Sequence, residues 1–342
     1  VLAKLPRESV EMLWVGGEGG IEAELVQREG IPYTAIPAAG VHGVGLRTLP
    51  TNLVKLTRGV LASRKVLREF KPDVLFFTGG YVAGPMALAG WRIPSVLYVP
   101  DIEPGLALKA LAWFADKITV TTPTSSAYFS RKERIVTTGY PLRSDLAQWE
   151  KVAAREKLGL KADEPVLLVF GGSKGARSIN NALLAHLPEL LERTQIVHLS
   201  GKLDWETVKA AQNALDPKQA ERYRAFDYLH EMGIALGAAD LVISRAGASS
   251  LGEFPFFGLP ALLVPYPYAW RYQKVNAEYM SERDAAILVK DEDLDAQIFP
   301  LVDDLLQNSQ KLDDMRAAMK ALATPQAAEK IAAGLLAVAR KR

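Results

Sequence analysis

The chain has no cysteine. Disulfides, thiolate-held metals and a cysteine nucleophile are therefore excluded, and a reducing, cytoplasmic address fits. Nor is there an apolar run approaching the roughly 20 residues needed to cross a bilayer; any membrane contact is expected to be peripheral. An excess of one charge is missing too, because 41 basic residues stand against 39 acidic ones for a net +2. That balance is too even for a protein whose main task is neutralising nucleic-acid phosphates, so no nucleic-acid partner is expected. Histidine is scarce, and His186, His198 and His230 lack a metal-ligand spacing. No metal and no cofactor are expected. The sequence also lacks an initiator methionine: "VLAKL" reads as the end of a helix already under way, and a natural start further upstream is expected.

What is present is regular alternation. A length of 342 residues points to two domains rather than one. In the first half, "EMLWVG", "YTAIP", "DVLFFTGG", "SVLYVP", "KITVT" and "RIVTTG" read as strands bounded by glycine, proline or aspartate. The clearest helix runs from Thr51 to Phe70, stopped by Pro72; Leu53, Leu56, Val60 and Leu67 fall on one side and Lys55, Arg58 and Lys65 on the other. The pattern pauses at "GYPLRSDL", read as a linker, and restarts with a helix, "LAQWEKVAAREKLGL". A second series follows: "PVLLVFGG", "QIVHLSG", "YRAFDYL", "LVISRAG", "PALLVPY" and "AAILVK". Strands alternating with helices predict two doubly wound parallel sheets. Helices are expected from about Asp293 to the end, including "PQAAEKIAAGLLAVARKR".

Two glycine-rich turns carry the chemistry. "GGSKGARSIN", after a buried strand, sets free N–H groups and the positive end of a helix dipole at one point, which suits an anion. Gly171, Gly172 and Gly175 let a phosphate approach the backbone, and Ser173 adds a hydroxyl. A tight turn that merely joins strand to helix is the plain alternative. A nicotinamide dinucleotide fingerprint has different glycine spacing and an acid at the end of the next strand. A P-loop places its lysine after the last glycine, whereas Lys174 precedes it. Further on, "SRAGASSLGEF" repeats the arrangement, with Ala248, Ser249 and Ser250 opening a helix and Glu253 one turn later. A carboxylate there suits two ribose hydroxyls, although a glutamate in a helix's first turn is also ordinary dipole chemistry. In a doubly wound domain the two turns are expected to converge at the C-terminal ends of the strands.

Taken in order, "GGYVAGP", "GYPLR", "GGSKGARSIN", "SRAGASSLGE" and "QKVNA" resemble the MurG family of N-acetylglucosaminyl transferases across nearly the whole chain. The resemblance implies a GT-B fold, two Rossmann-like parallel-sheet domains facing across a cleft. Residues 1–141 would form the acceptor and membrane-facing domain, 142–325 the UDP-sugar domain, and 326–342 a helix packing back on the first. It implies metal-independent, inverting transfer from UDP-N-acetylglucosamine to undecaprenyl-pyrophosphoryl-N-acetylmuramoyl-pentapeptide (lipid I to lipid II) in peptidoglycan synthesis. Carried over by position, Gly172, Ser173, Ala248, Ser249 and Ser250 would meet the diphosphate and Glu253 the ribose. Leu229 would meet the uracil through its backbone, Arg143 would reach the nucleotide from the linker, and Gln273 would read the sugar. Gly79, Gly80 and Tyr81 would lie on the acceptor side.

Three departures from the family pattern bear on catalysis. Its opening strand and "GGTGGH"-like loop are not in this sequence, a "YVPD" stretch stands where it has "HEQN", and Tyr272 replaces the first of two paired glutamines. The candidate bases are therefore Asp101, Glu103 and His42, although for a lone acid or histidine a loop cap or a solvated charge is the commoner role. The Lys55/Arg58/Lys65 helix, after the apolar "GVHGVGLRTLP", is a candidate contact with an anionic membrane surface, the cytoplasmic face of the plasma membrane. An ordinary solvated helix face is the alternative. Two other readings stand beside the leading one: a different GT-B enzyme, such as a macrolide-type glycosyltransferase or a UDP-N-acetylglucosamine 2-epimerase, and a non-catalytic nucleotide-binding homologue.

Overall fold

A computed structural model describes residues 1–20, 22–39, 49–172, 174–268 and 272–340. The chain divides into two compact units, Val1–Thr138 with Gln326–Arg342, and Gly139–Pro325.

The first unit alternates β1 (Trp14–Gly17), α1 (Glu22–Arg28), β2 (Tyr33–Ile36), α2 (Leu49–Phe70), β3 (Leu75–Phe77), α3 (Ala83–Ala89), β4 (Ser95–Val99), α4 (Leu106–Leu111), β5 (Lys117–Val120) and β6 (Ile135–Thr137). β1 pairs in parallel with β2, and β3-β4-β5-β6 form a second parallel sheet in sequence order. Leu75, Phe77, Leu97, Val99, Ile118 and Val120 meet Leu67, Met86 and Leu111 in the core. α2 turns Gly59, Ser63 and Leu67 inward. Leu53, expected on its buried face, is 56% exposed, and Val54 and Leu61 are exposed with it. The reason lies at Gly59: a Cβ there would stand 2.3 Å from the Pro37 carbonyl oxygen, so the helix makes its close approach at this glycine and not along the leucine stripe.

The second unit holds α5 (Lys151–Lys157), β7 (Val166–Phe170), α6 (Arg177–Ala185), α7 (Leu187–Arg193), β8 (Gln195–Leu199), α8 (Trp205–Asn213), α9 (Pro217–Ala220), β9 (Tyr223–Phe226), α10 (Met232–Ala238), β10 (Leu241–Ser244), α11 (Ser250–Phe257), β11 (Ala261–Leu263), α12 (Tyr272–Ser281), β12 (Ala286–Leu288), α13 (Leu294–Gln307) and α14 (Ser309–Ala321). Its sheet is parallel throughout, in the order β12-β11-β10-β7-β8-β9. β7 and β8 are covered on both faces, which is why they read as unbroken apolar runs. Leu167, Val169, Ile196, Ile243 and Leu262 pack with Ile179, Leu183, Ile298 and Val302. A last helix, α15 (Ala327–Ala339), packs on β4 and β5 of the first unit, where Lys4 pairs with Glu329 at 2.7 Å.

The helix expected over "LAQWEKVAAREKLGL" is divided. Ser144–Gln148 is a 3-10 turn, Trp149 and Glu150 are extended, and α5 follows. Leu146 and Trp149 press against Gly233 of α10, where a Cβ would lie 3.0 Å from the indole, so tertiary packing overrides the local pattern.

Candidate functional site

Strand order decides where the two glycine-rich turns go. β7 and β10 are neighbours, registered from Leu167 opposite Leu241 to Phe170 opposite Ser244. Strands β8 and β9 extend the sheet from β7 and strands β11 and β12 extend it from β10, so the order reverses between these two. A reversal point opens a crevice at the C-terminal ends of the strands. β7 and β10 end opposite each other at Phe170 and Ser244, so Gly171 and Gly172 leave the same edge of the sheet as residues 245–249, as the sequence predicts, and α6 and α11 follow.

The first turn needs its glycines. Gly172 and Gly175 have φ of 93° and 78°, and a Cβ on Gly175 would stand 2.1 Å from the Ser200 carbonyl oxygen. Behind it lies a buried polar chain. The Tyr223 hydroxyl is 2.7 Å from His198 Nδ1, and His198 Nε2 is 3.0 Å from Asn180 Oδ1. Asn180 Nδ2 donates to the Ser200 carbonyl and to Asp204 Oδ2, both at 2.9 Å, and Arg177 Nε donates to Asp204 Oδ1 at 3.0 Å. Burial pushes the His198 imidazole down to about 3, so the ring is neutral and the chain runs as one set of donors and acceptors. The Tyr223 phenol is pushed up for the same reason. This chain ties the start of α6 to the loop beneath the turn. Nothing in the spacing of the sequence points to Asn180 as a member of this chain. Ser173 lies outside the described residues.

The second turn carries the carboxylate. Ala248 and Ser249 are partly accessible, Ser250 is buried with its hydroxyl donating to the Gly247 carbonyl at 2.6 Å, and Glu253 follows in the first turn of α11. Burial pushes the Glu253 carboxyl above the ordinary carboxylate range, while the Ser249 hydroxyl and the Arg143 guanidinium pull it back and Asp145 adds to the rise. Arg143 is exposed and sits 3.4 Å from Asp145. Tyr140 covers Gly252, where a Cβ would meet its side chain at 2.7 Å, so the "GYPLR" segment lies against α11. Leu229 is half-buried in the loop after β9, between Tyr228 and His230, whose rings meet edge-on at 4.9 Å. Gln273 Oε1 accepts the Tyr266 backbone N–H at 2.9 Å.

In the first unit, Gly79, Gly80 and Tyr81 leave β3, and Asp101 and Glu103 leave the neighbouring β4. Tyr81 is 69% exposed. Glu103 pairs with Lys109 at 3.6 Å, and Lys109 lies over the Tyr128 ring at 5.4 Å. Lys55 and Arg58 of α2 line a cavity of about 440 Å³ with Glu18, Pro37 and Leu61. His42 lies outside the described residues. Among the described residues, no three His, Asp or Glu side chains are grouped as a metal site would require, and no helix is long and apolar enough to cross a membrane.

Comparison with known proteins agrees with this architecture. Residues 1–120 match the glycosyltransferase family 28 N-terminal domain and residues 166–331 the glycosyltransferase family 28 C-terminal domain. A UDP-N-acetylglucosamine–N-acetylmuramyl-(pentapeptide) pyrophosphoryl-undecaprenol N-acetylglucosamine transferase from Roseiflexus sp. (strain RS-1) is 38% identical, over 94% of this chain and 82% of its own. The transferase of the same name from Desulforamulus reducens is 37% identical, over 93% and 88%. The crystal structure of Acinetobacter baumannii MurG superposes with a TM-score of 0.73 at 25% identity, covering 96% of this chain and 92% of that one. The fold is GT-B, built of two parallel-sheet α/β units, as expected from the sequence. The chain belongs to the MurG family of UDP-N-acetylglucosamine-dependent glycosyltransferases, within glycosyltransferase family 28.

Proposed function

We propose that the chain transfers N-acetylglucosamine from UDP-N-acetylglucosamine to undecaprenyl-pyrophosphoryl-N-acetylmuramoyl-pentapeptide, converting lipid I to lipid II. The observation that carries this is the pair of small-residue turns on adjacent strands β7 and β10, with Glu253 one helical turn beyond the second. The backbone amides of Gly172 and its neighbours, Ser173, and the Ala248–Ser250 turn take the diphosphate; Glu253 accepts the two ribose hydroxyls, and the Leu229 backbone pairs with the uracil. Arg143 adds a cation on the nucleotide side. Gln273 offers its amide donors to the sugar.

In the reaction the acceptor hydroxyl forms a bond to C1 of the sugar as the bond from C1 to the UDP oxygen breaks, with inversion. The hydroxyl proton passes to a base, for which Asp101, Glu103 and His42 are the candidates, and the electron pair leaves on UDP. Donors already aimed at the diphosphate stabilise its growing charge with little reorganisation. The residues 1–141 are proposed to hold the acceptor, with Gly79, Gly80 and Tyr81 on its side, and 142–325 the donor. α2 carries five basic residues against one acid and exposes Leu53, Val54 and Leu61. That combination suits peripheral attachment to the anionic cytoplasmic face of the plasma membrane.

The test is acceptor-dependent release of UDP. Purified protein should release UDP from UDP-N-acetylglucosamine with lipid I and make a β-1,4-linked product. Release with a small aglycone and not with lipid I, or acceptor-independent release with epimerisation at C2, would overturn the assignment.

A further inference from the structure

Arg245 follows β10 directly, beside the proposed diphosphate turn, where an arginine would ordinarily be taken for a phosphate clamp. Its guanidinium is engaged otherwise. Nη1 donates to the carbonyls of Val264 at 3.0 Å and Pro265 at 3.3 Å and is paired with Asp291, while Nη2 donates to the Ser178 hydroxyl at 2.8 Å. Ser178 in turn donates to Asp291 Oδ1 at 2.7 Å, closing a ring of three side chains. The Arg245 and Asp291 side chains are only 10% and 20% exposed, and the cation lies 5.4 Å from the centre of the Tyr266 ring.

These partners belong to separate parts of the donor edge. Ser178 is in the first turn of α6, which opens at the phosphate turn, and Val264, Pro265 and Tyr266 form the exit from β11. Tyr266 holds Gln273 through its backbone N–H. Asp291 begins the 3-10 turn after β12. We infer that Arg245 is a positioning residue of the donor site: it fastens the phosphate side to the sugar side and sets how well UDP-N-acetylglucosamine is preferred over UDP, without itself contacting the diphosphate. The inference rests on the donor assignment proposed above. Asp291 balances the arginine's charge, so what the cluster supplies to the site is geometry. A planar fork with several donors can hold four acceptors at once; a lysine ammonium has the charge and not the fork.

The experiment compares Kd for UDP and for UDP-N-acetylglucosamine in the full chain, together with donor KM, kcat and urea stability, in wild type, Arg245→Lys, Ser178→Ala and Tyr266→Leu. Losing one charge-assisted anchor predicts that Arg245→Lys raises Kd and KM for UDP-N-acetylglucosamine about tenfold. The preference over UDP should shrink with it. Tyr266→Leu should erode that preference while leaving UDP affinity intact, and Ser178→Ala should weaken both ligands alike. If Arg245→Lys lowers stability but keeps wild-type donor KM and preference, the role is structural only and the inference falls. A loss of UDP affinity in Arg245→Lys that neither Ser178→Ala nor Tyr266→Leu shares in part would make Arg245 a direct phosphate ligand, which also overturns it. Failure of the wild type to bind either ligand would instead overturn the donor assignment itself and the inference with it.

Discussion

Replacing Glu253 by glutamine should move donor affinity and stability in opposite directions. Burial holds the carboxyl above its ordinary pKa, offset only in part by the Ser249 hydroxyl and Arg143. A carboxyl raised in this way binds more protons in the folded chain than in the unfolded one across the window between its ordinary and folded pKa values. Stability is therefore lost as pH rises through that window, and the deficit persists above it. Glutamine keeps the shape and removes the charge, so ligand-free Glu253→Gln should be at least as stable as wild type near neutral pH, with the difference vanishing in acid. Binding should go the other way. A carboxylate accepting two hydroxyls makes charge-assisted bonds of about 1.5–3 kcal/mol each, whereas glutamine keeps one neutral acceptor and turns a donor toward the second hydroxyl. A net loss of about 2 kcal/mol is roughly thirtyfold in Kd. Calorimetry with UDP and urea unfolding without ligand read the two effects on the same preparations. The ratio of mutant to wild-type Kd should fall toward one as pH drops through the folded pKa of Glu253. Unchanged UDP affinity in the mutant, or a mutant markedly less stable than wild type, would refute the reasoning.

Other substitutions test other links. Asp240 pairs with buried Arg155, is contacted by Lys151 and accepts the Val166 N–H at 2.8 Å, so Asp240→Ala leaves a buried guanidinium uncompensated and should cost about 3–5 kcal/mol in urea unfolding. Gly175→Ala combines φ of 78° with a Cβ 2.1 Å from the Ser200 oxygen; a cost of at least about 1 kcal/mol, read by thermal unfolding, should come with weakened UDP binding. Reversing the charges of Lys55, Arg58 and Lys65 should abolish cosedimentation with phosphatidylglycerol vesicles at low salt, since each basic residue near such a surface is worth about 1 kcal/mol; retention equal to wild type would remove α2 as the contact.

The strands were legible because a buried parallel strand leaves a local mark. "VLLVF" and "SVLYV" are apolar without alternation because both faces are covered, and glycine, proline or aspartate bounds them. The side-by-side exit of the two turns was legible as well, from the doubly wound pattern alone. Finer features were not. Leu53 is exposed because a glycine six residues beyond it was free to approach Pro37, and no helical periodicity reports that preference. Trp149 interrupts a good helix pattern because α10 presents glycines to it. The polar partners are further out of reach. Arg245 and Ser178 are 67 positions apart and Asn180 and His198 are 18 apart, so their meeting depends on which strands are neighbours, a matter that residue spacing within one element cannot decide.

These polar partners also explain how flexible glycines can serve a site that needs fixed donors. A turn rich in glycine loses much conformational freedom on ordering, and a ligand that had to order it would lose affinity by that amount. Here the ordering is done in advance. Asn180, held by neutral His198, grips the Ser200 carbonyl against which Gly175 is packed, and Arg245 with Asp291 grips Ser178 at the start of the following helix. Each cluster is bonded within the fold, so the low-dielectric interior strengthens it and does not penalise it. On the donor assignment proposed above, the shape of the turn is then set by groups that the diphosphate would not touch. A mutation in either cluster should accordingly appear as a weaker donor complex before it appears as an altered chemical step, because the loss falls on preorganisation shared by ground state and transition state.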